Sequence, residues 1–501
     1  MDNNYNNALQ KHQFTKNRRA GVLLHLSSLP GYSETGDIGN QAYRFIDFLK
    51  ENSFKVWQML PLNPTHSDNA PYKCLSTHAG NPCFISLDWL QDKGWLDSSL
   101  KIASHHSKSY RKDCIIRASI VFNNTSGIEW SNKIESFIHS NSYWLADYAM
   151  YMTLKIKYDN SPWYEWPDKA RSRDKAFLED IKIQYKDIYQ SFIFEQFVFY
   201  AQWKEVHEYA KSNNIELFGD LAIFVSTDSA DVWSRIENFE IDVNGVMKYK
   251  SGAPPDDFSE TGQIWGNPLY DWEYLKSTKF KWWKERFQSQ LNYFDMVRID
   301  HFRGLEACWA IPSGDDTAVN GYWKKSSGSE MLEELQIHFG ELPLVAEDLG
   351  LITKEVIELK NKYRLPGMRV LQFAFNGERN NPHLPHEHVI EDVVYTGTHD
   401  NDTTLGWVSD IDKSNDHRLK DYLGYECAHG ENKALHIMRL ALSSVSFLCV
   451  LPMQDLLMLD SSARMNFPGK SEGNWQWRFD WSQLRPDIMQ CINKYISIYE
   501  R

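Results

Sequence analysis

The sequence has no long apolar run. Its longest nearly apolar stretch, Leu440–Met453, carries three Ser and falls short of the ~20 residues that cross a bilayer. Residues 1–19 are polar and hold no apolar h-region, so no secretory signal peptide is expected. Cysteine is sparse: seven residues, an odd number, with no two at CxxC spacing. Reduced thiols in a cytoplasmic protein are expected, not a disulfide framework or a zinc site. Positive charge is in deficit, 54 Lys plus Arg against 67 Asp plus Glu, for a net charge of −13. That balance disfavours nucleic acid and anionic membranes as partners and leaves a neutral substrate open. GxGxxG is missing, so a dinucleotide site lacks its main signal. Gly469-Lys470-Ser471 echoes a P-loop, but Arg464 stands where its first Gly belongs. GKSEG matches a GxSxG elbow without the apolar strand before it and the helix after it.

What is present is aromatic: 19 Trp, 25 Tyr and 26 Phe. Flat rings stack on the C–H faces of sugars, but most aromatics serve cores. The hydrophobic share is 42% and the charged share 24%, as in globular proteins. At roughly 150 residues per domain, 501 residues suggest about three domains, although barrels are larger units.

Eight short apolar runs end in polar or Gly/Pro breaks and predict strands. They are Gly21–Leu26, Lys55–Leu62, Glu216–Ile223, Met296–Phe302, Leu342–Leu349, Met368–Phe375, Val393–Asp400 and Phe447–Leu456. Helical periodicity marks Gln41–Glu51, Tyr143–Tyr158, Ile181–Ala210 and Glu330–Phe339. Alternation of this kind predicts an α/β fold, a (β/α)8 barrel, with a doubly wound open sheet as competitor. A barrel takes about 250 residues, so about half the chain is insertion. The expected division is one catalytic barrel over 1–501. Large, mainly helical insertions are expected at 65–215, between strands 2 and 3, and at 224–295, between strands 3 and 4.

Barrel active sites lie at the carboxyl ends of strands. Those ends carry Asp220, then Arg298, Asp300, His301 and Arg303, then Glu347 and Asp348, then His399, Asp400 and Asn401. Arg298 and Asp300 are two apart and share one strand face, with Val297 and Ile299 on the helix side. Arg298 is expected to keep Asp300 ionised as a nucleophile, and a drier Glu347 to act as proton donor. Two carboxyls flanking a bond are the machinery of glycoside chemistry, and the retaining form predicts them about 5–5.5 Å apart.

APYKCLSTHAGNP, GDLAIFVSTDSADVW, GAPPDDFSETGQIWGNPLY, FDMVRIDHFRG, VAEDLG, LPGMRVLQFAF, YTGTHDNDTTLGW and RMNFPGKSEGNWQWRF follow one another in order along the chain, within a pattern that runs from about residue 20 to 480. Together they resemble the 4-α-glucanotransferases of the amylomaltase, or disproportionating enzyme, type in glycoside hydrolase family 77. The resemblance implies an α-amylase-type (β/α)8 barrel. That enzyme cleaves an α-1,4-glucan and transfers the piece to the 4-hydroxyl of another sugar, with no metal or organic cofactor. It implies Asp300 as nucleophile, Glu347 as general acid/base and Asp400 as transition-state stabiliser. Tyr72 becomes a stacking platform, with Asp220, Arg298 and His399 as sugar partners. Gln263 and Trp265 come from a loop, Gly252–Gly266, that arches over the groove, and Asn466 lies on the donor side. The partners implied are glucose, maltooligosaccharides and starch- or glycogen-type glucans, for a monomer or homodimer without nucleic acid or membrane.

The sequence departs from the family pattern at Ala70, where Ser is common, at Ala222 for Pro, at Asp257 for Tyr, and at His383 and Glu387 for Tyr and Asn. His383, His386 and His388 match no standard zinc spacing. Asp228-Ser229-Ala230-Asp231 reads as a helix N-cap. Trp265, Phe258 and the helical insertion are expected to shield the site from water. An α-amylase-like hydrolase and a non-catalytic glucan-binding scaffold are the rival readings.

Overall fold

A computed structural model describes residues 15–31, 34–100, 107–255, 259–424, 430–470 and 472–501. Each of the eight apolar runs supplies one barrel strand. These are β1 (Arg19–Leu23), β2 (Val56–Gln58), β3 (Glu216–Leu221), β4 (Met296–Ile299), β5 (Leu344–Ala346), β6 (Met368–Val370), β7 (Val393–Tyr395) and β8 (Leu448–Pro452). They form one parallel sheet in the order β6-β7-β8-β1-β2-β3-β4-β5. Between β5 and β6, Ala346 N–H donates to the Pro366 carbonyl (2.8 Å). Asp348 Oδ1 accepts from Met368 N–H beside it (2.7 Å). The sheet is a nearly closed (β/α)8 barrel, not the open doubly wound alternative.

Strand residues alternate between two apolar layers, as a period of two requires. Leu23, Val56, Phe218, Met296, Val345, Val370, Tyr395 and Val450 fill the barrel interior. Val22, Trp57, Leu217, Val297, Ile299, Ala346, Val394 and Leu451 join the larger core beneath the helices. Parallel strands buried on both faces read as continuous apolar runs, which made them legible.

Between β2 and β3 the chain builds helices, among them Lys108–Thr125, Ile128–Ser140, Leu145–Lys157 and Lys186–Ser212. The predicted helix over Ile181–Ala210 is two helices, Lys175–Gln184 and Lys186–Ser212. They part at Tyr185, whose φ of −111° and ψ of 31° leave the helical region. Ser229, in the expected cap segment, accepts from Val232 N–H.

One sheet was not foreseen. Tyr249–Ala253, Gln263–Pro268, Ala307–Pro312 and Tyr322–Lys325 form a four-stranded antiparallel sheet. Two of its strands follow β3 and two follow β4. YKSGA, QIWGNP and YWKK are mixed in polarity, so neither alternation nor an apolar run marks them, and the one apolar strand, ACWAIP, was not among the runs read as strands. Asp256, Asp257 and Phe258 lie outside the described residues, as do Cys427 and Ser471.

Close packing fixes β3 beside the site. A Cβ at Gly219 would run into the buried ring of Phe294. Gly219→Ala is expected to destabilise the protein by about 1–3 kcal/mol through overpacking and to displace the adjacent Asp220. An unaltered thermal midpoint would show that Phe294 can move aside.

Candidate active site

Asp220 and Arg298 are direct cross-strand partners in the β3–β4 ladder. Both are buried at positions that alternate with the outward Leu221, Val297 and Ile299. Arg298 is the hub. Its Nη1 donates to Asp220 Oδ2 (2.6 Å) and lies 3.4 Å from the Tyr72 hydroxyl. Its Nη2 reaches Asp300 Oδ1 at 3.1 Å and Glu347 Oε2 at 3.3 Å. A guanidinium fork with several donors makes this sharing possible.

The other groups arrive on loops at the same barrel end. Asp300 follows β4, with its N–H on the Leu221 carbonyl (2.9 Å). Glu347 follows β5, and its Oε2 accepts from His301 N–H. His301 has a φ of 49°, so the chain turns sharply after Asp300 to aim that N–H. Asp400 follows β7; its Oδ1 accepts from Asn466 Nδ2 (2.6 Å), and its Oδ2 lies 3.3 Å from His399 Nε2. Tyr72 comes from the β2–β3 loop, pinned by a Thr65–Cys74 bridge, and donates to Asp220 Oδ2 (2.7 Å). Its ring stacks on His399 at 5.3 Å and 17°. Gln263 and Trp265 lie on the antiparallel sheet, where the Trp265 indole N–H meets Gln263 Oε1 (3.1 Å).

An open cleft of about 570 Å³ joins them. Tyr72, Gln263, Trp265, Asp300, Glu347, His399, Asp400 and Asn466 line it, with Asp220 and Arg298 buried beneath. All ten sequence-predicted site residues are thus brought together. Ala70 and Ala222 also line the cleft.

Two strand-end groups turn elsewhere. Arg303 donates to the Leu351 carbonyl (2.6 Å) with its guanidinium over Trp323. Asp348 pairs with Lys360 (2.6 Å) beside the β5–β6 gap. His388 is engaged with Ser444 Oγ (2.8 Å) and the His383 carbonyl (3.0 Å). Among the described residues no group of three or more His, Cys, Asp or Glu could hold a metal. Nor is any helix there long and apolar enough to cross a membrane.

The cleft also contains residues the sequence reading did not assign. Trp475 lines it, tilted against Tyr72 and His399 at 6.0 and 5.9 Å. Its signal was the aromatic run WQW after RMNFPG. The His301 ring stands edge-on to Trp265 at 4.8 Å.

Electrostatics follow from burial. Glu347 is pushed up to about 8, first by burial and then by Asp300, against the pull of Arg298. Asp220 is raised to about 7, again chiefly by burial. Asp300 is raised as well, because burial outweighs the pull of Arg298. Arg298 and the neighbouring Glu347 pull Asp300 down, while burial and Asp400 push it up. The coupled group therefore retains a proton near neutrality, and Glu347 is its natural holder. His399 and His301 are lowered to about 4 by burial and stay neutral.

Fold and cleft define a (β/α)8-barrel enzyme with carboxylates gathered at the carboxyl ends of its strands. A family model described as 4-alpha-glucanotransferase matches residues 24–483. A 4-alpha-glucanotransferase of Synechocystis sp. is 42% identical, over 97% of this chain and 98% of its own. That of Thermus thermophilus is 40% identical, over 94% and 96%. An amylomaltase from Streptococcus agalactiae, solved in complex with acarbose, superimposes with a TM-score of 0.92 at 32% identity, covering 97% of this chain and 99% of that one. The chain belongs to the 4-α-glucanotransferase family.

Arg298→Met leaves Asp220 buried without its counter-charge. Breaking such a pair is expected to destabilise by about 3–5 kcal/mol in urea unfolding. Adding Asp220→Asn should recover part of the loss. A double variant no more stable than the single one would show that unpaired charge is not the cause.

Proposed function

We propose that this protein is a 4-α-glucanotransferase working by retaining double displacement on maltooligosaccharides and longer α-1,4-glucans. The observation that carries the mechanism is the single Arg298 nitrogen shared by Asp300 and Glu347, at 3.1 and 3.3 Å. Two carboxylates on one nitrogen are close neighbours. That favours the retaining class over the ~6.5–9.5 Å of inverting pairs. The acarbose complex of the Streptococcus agalactiae amylomaltase supports an α-glucan in the cleft.

In the first step the Asp300 carboxylate attacks the anomeric carbon and forms a glycosyl ester. Glu347 gives its proton to the departing glycosidic oxygen, and the leaving sugar takes the bonding pair. In the second step ionised Glu347 takes the proton of an acceptor 4-hydroxyl. That oxygen attacks the anomeric carbon and frees Asp300. Asp400 offsets the positive charge that develops on the sugar in both steps. Arg298 and Asp220 hold the floor, Tyr72 presents its ring to the sugar, and His399 and Asn466 orient Asp400. Gln263 and Trp265 form the acceptor side. Transfer requires that a sugar outcompete water at the ester, which a cleft walled by Trp265 and Trp475 favours.

Incubated with maltotriose, the protein is expected to produce glucose together with oligosaccharides longer than maltotriose, seen by chromatography. Glucose and maltose alone would make it a hydrolase. Asp300→Asn should lower turnover by about 10³-fold or more while glucan binding persists; unchanged turnover would remove Asp300 as nucleophile.

The acid must be protonated for the first step. As pH rises through about 8, Glu347 loses its proton, so kcat/KM is expected to fall on the alkaline side there. Asp300 must be ionised, and its raised pKa places the acid limb above the ordinary carboxylate range. Glu347→Gln should abolish the alkaline limb in whatever activity remains. An unchanged limb would assign that proton to another group.

A further inference from the structure

The acidic groups of the cleft differ in what holds them. The side chain of Asp220 is 1% exposed, Glu347 16%, Asp300 28% and Asp400 45%. Asp400 makes no ion pair with Arg298, and burial alone does not fix it. Hydrogen bonds must set its place. Its carboxylate meets Asn466 and His399, and its N–H donates to Thr398 Oγ1 (3.3 Å). Its main-chain carbonyl accepts from Arg464 Nη2 (3.0 Å).

The same guanidinium reaches the Asn466 carbonyl through Nε (3.3 Å) and lies over the Phe467 ring at 4.3 Å. Arg464 thus joins the backbone of the β7 loop, at Asp400, to the backbone of the β8 loop, at Asn466. The 2.6 Å bond from the Asn466 amide to Asp400 Oδ1 spans the same two loops. Asn474 braces the β8 loop from its other end, accepting from Phe467 N–H (2.9 Å) and donating to the Lys470 carbonyl (2.8 Å). A further link between the loops, Ser461 Oγ to Asp402 Oδ2 (2.7 Å), lies after Asp400 in one loop and before Arg464 in the other.

We propose that Arg464 is a positioning residue for glycosyl transfer, setting through two backbone carbonyls the geometry of the Asp400–Asn466 pair. The inference rests on the reading that Asp400 faces the reacting sugar. Arginine suits the task because its planar fork offers Nε–H and Nη–H donors at a fixed angle. Lysine supplies the charge but only one point of attachment. A misplacement of about 1 Å at a reacting group reduces rate by about 10²-fold without abolishing binding.

The test is glucose release from maltotriose, which reads bond cleavage whether sugar or water accepts the glycosyl unit. Arg464→Ala is expected to lower kcat by about 30–100-fold, with KM within about threefold and the thermal midpoint little changed. Arg464→Lys should restore only a small part, and added guanidinium ion should restore part of the Arg464→Ala loss. The double variant Arg464→Ala/Asn466→Ala should be no slower than Asn466→Ala alone, because both changes remove one geometry. A kcat within about twofold of the parent would overturn the inference, as would a loss confined to KM or to the thermal midpoint. Multiplying losses in the double variant would also overturn it. No glucose release by the parent protein would instead reject the glucan-cleaving function.

Discussion

A guanidinium inside a barrel is the constraint on which the site depends. Arg298 lies among apolar interior residues where an isolated charge would be expensive. Asp220, its cross-strand partner, supplies the first neutralising contact, and the Asp300 and Glu347 carboxylates supply two more. One fixed positive charge cannot satisfy three desolvated carboxylates that repel one another. A proton must stay, and Glu347, lifted to about 8 by burial and by Asp300, is its natural holder. The geometry that stabilises the barrel end thereby sorts the carboxyl groups into those that keep a proton and those that give it up, the division the proposed mechanism uses. A structural ion-pair network and the proposed catalytic apparatus are here the same set of atoms.

Asp300 shows what the simple expectation left out. Adjacency in sequence to Arg298 argued for an ionised carboxylate, and the pairing exists. What a strand pattern cannot express is how much water remains around the group. Burial and the neighbouring Asp400 raise Asp300 more than one shared arginine lowers it. Two residues of sequence reveal a contact but not a dielectric.

Legibility followed the same division. Strands buried on both faces had to be apolar throughout, so each of the eight announced itself. The polar residues ending them stood out because a charge after such a run needs a partner. Gln263 and Trp265 were placed through family resemblance, while the sheet carrying them went unseen. Its strands are short, and the ladder that joins its two halves pairs Tyr249–Gly252 with Trp309–Pro312, about 60 positions apart, which local periodicity does not record. Trp475 escaped for a related reason. In a chain so rich in aromatics the WQW run was a weak mark, and only the fold shows Trp475 tilted against the stacked Tyr72 and His399 in the cleft wall. Arg303 and Asp348 show the converse. Both sit at strand ends, yet each turns away to a local partner.

The carboxylates form a gradient from barrel interior to mouth. Deep in the barrel, charge pairing and exclusion of water fix Asp220 and Arg298, and little can move. At the rim Asp400 is half-exposed and held by directional hydrogen bonds from two loops. Hydrogen bonds to exposed groups are individually weak, so rim geometry depends on several acting together. A sugar entering the cleft would displace water from the rim, strengthening those bonds when charge develops on the reacting carbon. The floor is therefore organised before substrate arrives, whereas the rim reaches full strength only with substrate present. Under the proposed function, that difference would let a single cleft keep its proton inventory fixed while admitting and releasing chains of different length.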